Sequence, residues 1–248
     1  MTDDLSRSIA DAARAEDALA RVAALRAMNS AQLAAVLGGD PAEAERWVRA
    51  AAIHGVAEAQ VRLGRTLLER GDHAGALRWF GHAARLGDAD AMNMVGRCHE
   101  NGWGAPKGEA EAAAWYRRSA EAGHDWGEYN YAHMLFDGRG LPQDPAGAYH
   151  WYSRAAERGH ARAMNLVGRC LEAGWGVAAD RVAAEAWYER SARAGYFRAQ
   201  YNHALALIAR GQGDEARVWL ELAHAGGDAA MRELIDERFG KPRSANSL

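Results

Sequence analysis

The sequence predicts an all-α chain built as a stack of helical hairpins, and three observations lead there. Six tryptophans, Trp47, Trp79, Trp115, Trp151, Trp187 and Trp219, follow one another at intervals of 32, 36, 36, 36 and 32 residues. Each has a glycine eight residues later: Gly55, Gly87, Gly123, Gly159, Gly195 and Gly227. Between the two stand small residues, as in WFGHAARLG, WYSRAAERG and WYERSARAG. A fixed period of this length marks an array in which each unit packs on its neighbours.

From the N-terminus, LSRSIADAARAEDALARVAALRAM places Leu5, Ile9, Ala12, Leu19, Val22 and Leu25 at helical spacing and predicts a helical cap over 1–30. Repeat units follow at 31–55, 56–87, 88–123, 124–159, 160–195 and 196–227. In WYSRAAERG, Trp151 and Ala155 lie four apart and share one face, where a large ring beside a small residue admits a neighbouring helix. Gly159 can take the left-handed conformation that closes that helix. The first helix of a unit, such as ARAMNLVGRCLEAG, turns Ala163, Val167 and Gly168 inward.

The loops inside the 36-residue units read NGWGAPKG, DGRGLPQD and AGWGVAAD. Their first glycine ends the first helix, the second supports a tight turn, and Asp144 or Asp180 caps the second helix. Asp40-Pro41 fits the same start signal. The 32-residue units shorten this loop to RGDH and RGQGDE. Residues 228–240 predict one closing helix, and 241–248, KPRSANSL, a loose tail.

Composition narrows the function. Apolar residues make up 49% and charged residues 25% of 248, with a net charge of -3 dispersed along the chain, so no basic footprint for nucleic acid is present. The acidic N-terminus lacks a secretory core, and no apolar run approaches the roughly 20 residues of a membrane helix. The expected location is cytoplasmic. No HExxH, GxSxG or phosphate-loop motif occurs, so the expectation is no enzyme, no metal and no cofactor. Cys98 and Cys170 occupy equivalent positions two units apart, about 20 Å at helix-layer spacing, beyond disulfide reach. They read as core thiols.

At the tryptophan, alanine and glycine positions the chain resembles the Sel1-like repeat family, a relative of the tetratricopeptide repeats. The resemblance covers about residues 31–240 and is best at 88–123, 124–159 and 160–195. It implies a right-handed α-solenoid whose first helices line a concave surface while the second helices form the outer wall. The family tyrosine near the end of the first helix is replaced by His99, Leu135 and Leu171, which loosens one core position.

Two segments, MNMVGRCHENGWG at 92–104 and MNLVGRCLEAGWG at 164–176, point to a site. Residues 88–123 and 160–195 agree at 21 of 36 positions, whereas 88–123 and 124–159 agree at 11, so the true period is 72 residues. Setting core residues aside leaves stripes on the first helices: Asp90, Asn93, Arg97, Glu100; Trp126, Tyr129, His133, Phe136; Arg162, Asn165, Arg169, Glu172; and Arg198, Tyr201, Leu205, Ile208. Trp126 stands where other copies carry charge. Trp103 and Trp175 are expected to cover the junction to the next repeat.

In related tetratricopeptide proteins an asparagine and basic residues clamp a peptide's terminal carboxylate, and Asn93, Arg97, Asn130 and Arg162 resemble that set by position. Asn165, Arg169 and Asn202 begin a second copy. The alternative is structural: Asn93 and Asn165 bonded to loop backbone, Arg97 paired with Glu100 and Arg169 with Glu172. The functional expectation is an adaptor or regulator that binds another protein, or an extended peptide with an acidic or carboxylate segment, on the concave face. The other expectation is a structural scaffold that self-associates, as a homodimer, through its N-terminal helix.

Overall fold

The computed structural model describes residues 17, 19–21, 23–24, 38 and 40–240. Most of the N-terminal cap expected over 1–30 and the whole tail at 241–248 lie outside the described residues. The chain divides into two compact units, 1–122 and 123–248. Unit 1 contains α1 (Pro41–Ile53), α2 (Ala57–Glu69), α3 (His73–Arg85), α4 (Ala89–Asn101) and α5 (Glu109–Glu121). Unit 2 contains α6 (Asp125–Asp137), α7 (Pro145–Glu157), α8 (Ala161–Ala173), α9 (Arg181–Arg193), α10 (Phe197–Ala209), α11 (Gly213–Gly226) and α12 (Ala229–Phe239). No strand occurs among the described residues. Within each unit the helices pack in consecutive pairs as stacked hairpins.

Short polar side chains fix where the helices begin. Asp72, Asp88, Asp144, Asp180 and Asp228 each accept a hydrogen bond from the backbone N–H three residues on, at 2.7–3.0 Å. At α6 and α8 a histidine ring replaces the aspartate: His160 Nδ1 accepts from Ala163 at 3.1 Å. Gly102, Gly138 and Gly174 end α4, α6 and α8 in the left-handed conformation, as the loop reading expects.

The ring that fills each core is the residue after the repeat tryptophan. Phe80, Tyr116, Tyr152 and Tyr188 are buried, while Trp115, Trp151 and Trp187 are half-buried and carry Arg118, Arg154 and Arg190 over their faces at 4.2, 4.6 and 4.0 Å. A first-helix glycine makes room for the buried ring. A Cβ on Gly168 would lie 2.6 Å from Tyr188, and one on Gly96 2.7 Å from Tyr116. Ser119 and Ser191 tie each of these hairpins shut by donating to Ala89 and Ala161 carbonyls at 2.6 Å.

Trp103 and Trp175 correct an expectation. They pack backward, on the preceding hairpin: Trp103 lies 6.1 Å from His73, and Trp175 lies 5.2 Å from Phe136. The reason is the glycine that follows each ring. Gly104 presses on the His73 carbonyl and Gly176 on that of Pro145, with no space for a Cβ, so the turn is seated against the start of the earlier second helix.

Candidate functional site

Asn93 and Arg97 belong to unit 1; Trp126, Tyr129, Asn130, His133, Arg162, Asn165, Arg169, Arg198, Tyr201 and Asn202 belong to unit 2. In unit 2, α6, α8 and α10 are the first helices of successive hairpins, so residues at one register position fall beside each other. Asn202 on α10 donates to Asn165 Oδ1 on α8 at 2.9 Å. Asn165 is 4% exposed; its oxygen is used by Asn202, and the half-buried Asn202 retains its own oxygen.

At the other end of the stripe the structure gathers an aromatic cluster. Tyr129 stacks on His160 at 4.7 Å and meets His133 edge-on at 4.7 Å. Trp126, 41% exposed, stands edge-on to His160 at 4.5 Å. Arg162 lies over both Trp126 and Tyr196, at 5.4 and 6.0 Å. Burial raises the Tyr129 phenol above its usual value, against the pull of Arg162. Burial likewise lowers His160, holding it neutral. Its Nδ1 accepts the Ala163 amide, so the proton sits on Nε2, which is buried without a hydrogen-bond partner.

The expected ion pairs of the stripe are replaced. Glu172 accepts from the Tyr188 hydroxyl at 2.8 Å, and Glu100 accepts from Tyr116. Both phenols come from the facing second helix, whose ring enters above the first-helix glycine and reaches the carboxylate. Arg169 lies instead 5.2 Å over Trp175, and Arg97 5.5 Å over Trp103. Cation–π contact with a half-exposed indole holds a guanidinium in place without neutralising it. The expected bond from Asn165 to loop backbone is replaced by the one to Asn202.

Farther along, Arg198 pairs with Asp228 at 3.4 Å, and Tyr201, 7% exposed, accepts from Arg238 at 3.0 Å. These two residues are engaged by α12 rather than open to a ligand. A cleft of about 200 Å³ in unit 2 is lined by Glu172, Arg181, Glu185, Tyr188, Asn202 and Leu205.

Sequence reasoning missed His160, Tyr196 and the Tyr188–Glu172 pair. His160 carried a signal, since it aligns with the capping Asp88 in the sister copy; Tyr188 carried none beyond its place beside the repeat tryptophan. Cys98 and Cys170 are buried, and burial pushes both thiols up to about 11. Among the described residues no group of His, Cys, Asp or Glu is placed to hold a metal, and no helix is long and apolar enough to cross a membrane.

Residues 57–88, 89–124, 127–160 and 161–196 match the Sel1 repeat. No curated protein matches the sequence. Among solved structures, the chain is similar to a Sel1 repeat protein from Oxalobacter formigenes, with 30% identity over 73% of this chain and 75% of that one and a TM-score of 0.65. It is also similar to c5321, a protective antigen present in uropathogenic Escherichia coli strains that displays an SLR fold. There identity is 29%, coverage 92% of this chain and 53% of that one, and the TM-score 0.71, so the chain spans about half of that protein. Immunity protein Pa5087 from Pseudomonas aeruginosa shares the fold at 18% identity, covering 71% of this chain and 67% of that one, with a TM-score of 0.51.

Proposed function

The chain belongs to the Sel1 repeat family, and from that premise we propose that this interaction scaffold takes an extended segment of a partner protein on its first-helix face. The observation that carries the reading is the state of the arginines on that face. Arg162 and Arg169 have no acidic partner among the described residues, and each is held over a tryptophan. Guanidinium groups held this way favour carboxylates, and Asn202 beside them offers the mixed donor and acceptor that a peptide backbone needs. Trp126, Tyr129 and His133 supply ring surface for the segment's apolar side chains. Asn93 and Arg97 present the same pair of residue types within unit 1, and Asn130 lies beside Tyr129 in unit 2.

A photo-crosslinking residue placed at Leu205, on the first helix α10, is compared with one at Ala186, on the second helix α9. In lysate of the native cells, a protein adduct is expected from position 205 that fades in Arg162→Glu/Arg169→Glu. Adducts from position 186 alone, or an adduct from 205 indifferent to the double substitution, would overturn the reading.

A further inference from the structure

The near-duplicate copies 88–123 and 160–195 differ in sign at one position of the stripe. Unit 1 has Asp90, which Arg65 holds at 2.7 Å. Unit 2 has Arg162 there, exposed and over Trp126 and Tyr196. Arg169 follows seven residues later on the same helix. At 1.5 Å of rise per residue the two side chains originate about 10 Å apart along α8, two turns up one face. Neither arginine is in an ion pair among the described residues: Glu172, three positions after Arg169, is bonded by Tyr188, and Asp228 is paired with Arg198.

The spacing discriminates between ligands. A β-strand presents side chains on one side every second residue, at about 6.6 or 13 Å, neither of which matches. A polyproline-II segment has three residues per turn and about 3.1 Å of rise, so residues i and i+3 share a side about 9 Å apart. We propose that unit 2 recognises an extended, polyproline-II-like segment bearing two acidic side chains three residues apart, one on Arg162 and one on Arg169. Asn202, bonded to Asn165 between the two arginines, takes a backbone amide of the intervening residues. This deepens the peptide-binding reading above and rests on it.

The test uses the full chain and fluorescein-labelled peptides of Pro and Ala with acetylated and amidated ends, so that no terminal carboxylate is present. A pair of Glu residues is placed at i,i+2, i,i+3 or i,i+4, with a Gln pair at i,i+3 as reference. At low salt the i,i+3 Glu peptide is expected to bind about tenfold tighter than each of the others. Arg162→Gln and Arg169→Gln each remove that preference, while Arg217→Gln, on the second helix of the last hairpin, keeps it. Equal affinity across spacings, or a preference that survives Arg162→Gln or Arg169→Gln, overturns the inference.

A phage-displayed random library selected on the same chain separates the two levels. Enrichment of acidic pairs at i,i+3 supports the inference. Binders that lack the pair, yet are lost in Trp126→Ala, sink it and leave the peptide face standing. A library that yields no binder sinks both.

Discussion

Tyr188 donates its hydroxyl to Glu172 at 2.8 Å across the hairpin of α8 and α9, and the consequence falls on a third residue. Glu172 stands three positions after Arg169, where an ion pair within one helix is the default. With the carboxylate held by a phenol, Arg169 lies over Trp175 instead. Tyr116 and Glu100 repeat the arrangement 72 residues earlier.

Tyr188→Phe removes that donor while keeping the ring that fills the core. Hydrogen bonds to charged groups contribute about 1–3 kcal/mol, and this one is partly exposed, so a loss of about 1–2 kcal/mol in urea unfolding is expected. Glu172→Gln preserves an acceptor and is expected to cost less than Tyr188→Phe. The reverse order would show that the phenol is not the group that matters.

Gly168→Ala is expected to destabilise by about 1–3 kcal/mol, because its Cβ would meet the Tyr188 ring at 2.6 Å and the Ala184 carbonyl at 3.2 Å. Gly213→Ala is the matched control: it lies at the start of α11 with nothing within 4 Å. There alanine lowers the entropy of the unfolded chain and gains about 0.5 kcal/mol. Thermal melts of the two variants moving the same way would refute the account of glycine as space for the ring.

His160 and His203 are both held neutral by burial, their pKa values lowered from 6.5. The unfolded chain therefore binds more protons than the folded one below pH 6.5, so stability is complete above that value and is lost as pH falls through it toward the folded values. Glu128, fully buried beside Arg154 and Arg158 and raised from 4.5 by burial, acts with opposite sign. The wild-type curve mixes the two effects. The histidine contribution is read as the difference from His160→Asn/His203→Asn, whose unfolding free energy should fall less between pH 7 and pH 5.5. Parallel curves would remove the histidines from the explanation.

Cys98 and Cys170, buried and raised to about 11, carry almost no thiolate at neutral pH. Neither should react with a thiol-specific disulfide reagent in the native protein, and both should react at once in denaturant. Rapid native labelling of either would show that its hairpin opens.

The two GRC segments illustrate how far a linear reading reaches. The capping aspartates, the left-handed glycines and the period itself are legible in sequence, because each acts through backbone geometry or through a partner within a few residues, whereas Gly96 and Gly168 make room for rings, Tyr116 and Tyr188, that come 20 residues later. Helical spacing aligns the stripe residues on α6, α8 and α10 but does not separate that face from the core, since Asn165 and Tyr201 are 4% and 7% exposed. Local pairing misled at Arg97 and Arg169, where the i,i+3 glutamate is the nearest acid along the chain but is bonded by a tyrosine 16 residues farther on.

What the sequence by itself determined about this protein is the hairpin array and the residue types on each face, because a repeat stores both in positions that recur. Only the tertiary structure decided which of those residues are occupied. Asn165 is taken by Asn202, Tyr201 by Arg238, Arg198 by Asp228 and Glu172 by Tyr188, partners 37, 37, 30 and 16 residues away. Contacts at such separations depend on how one helix seats against the next, and on that seating Arg162 and Arg169 have no acidic partner among the described residues of unit 2.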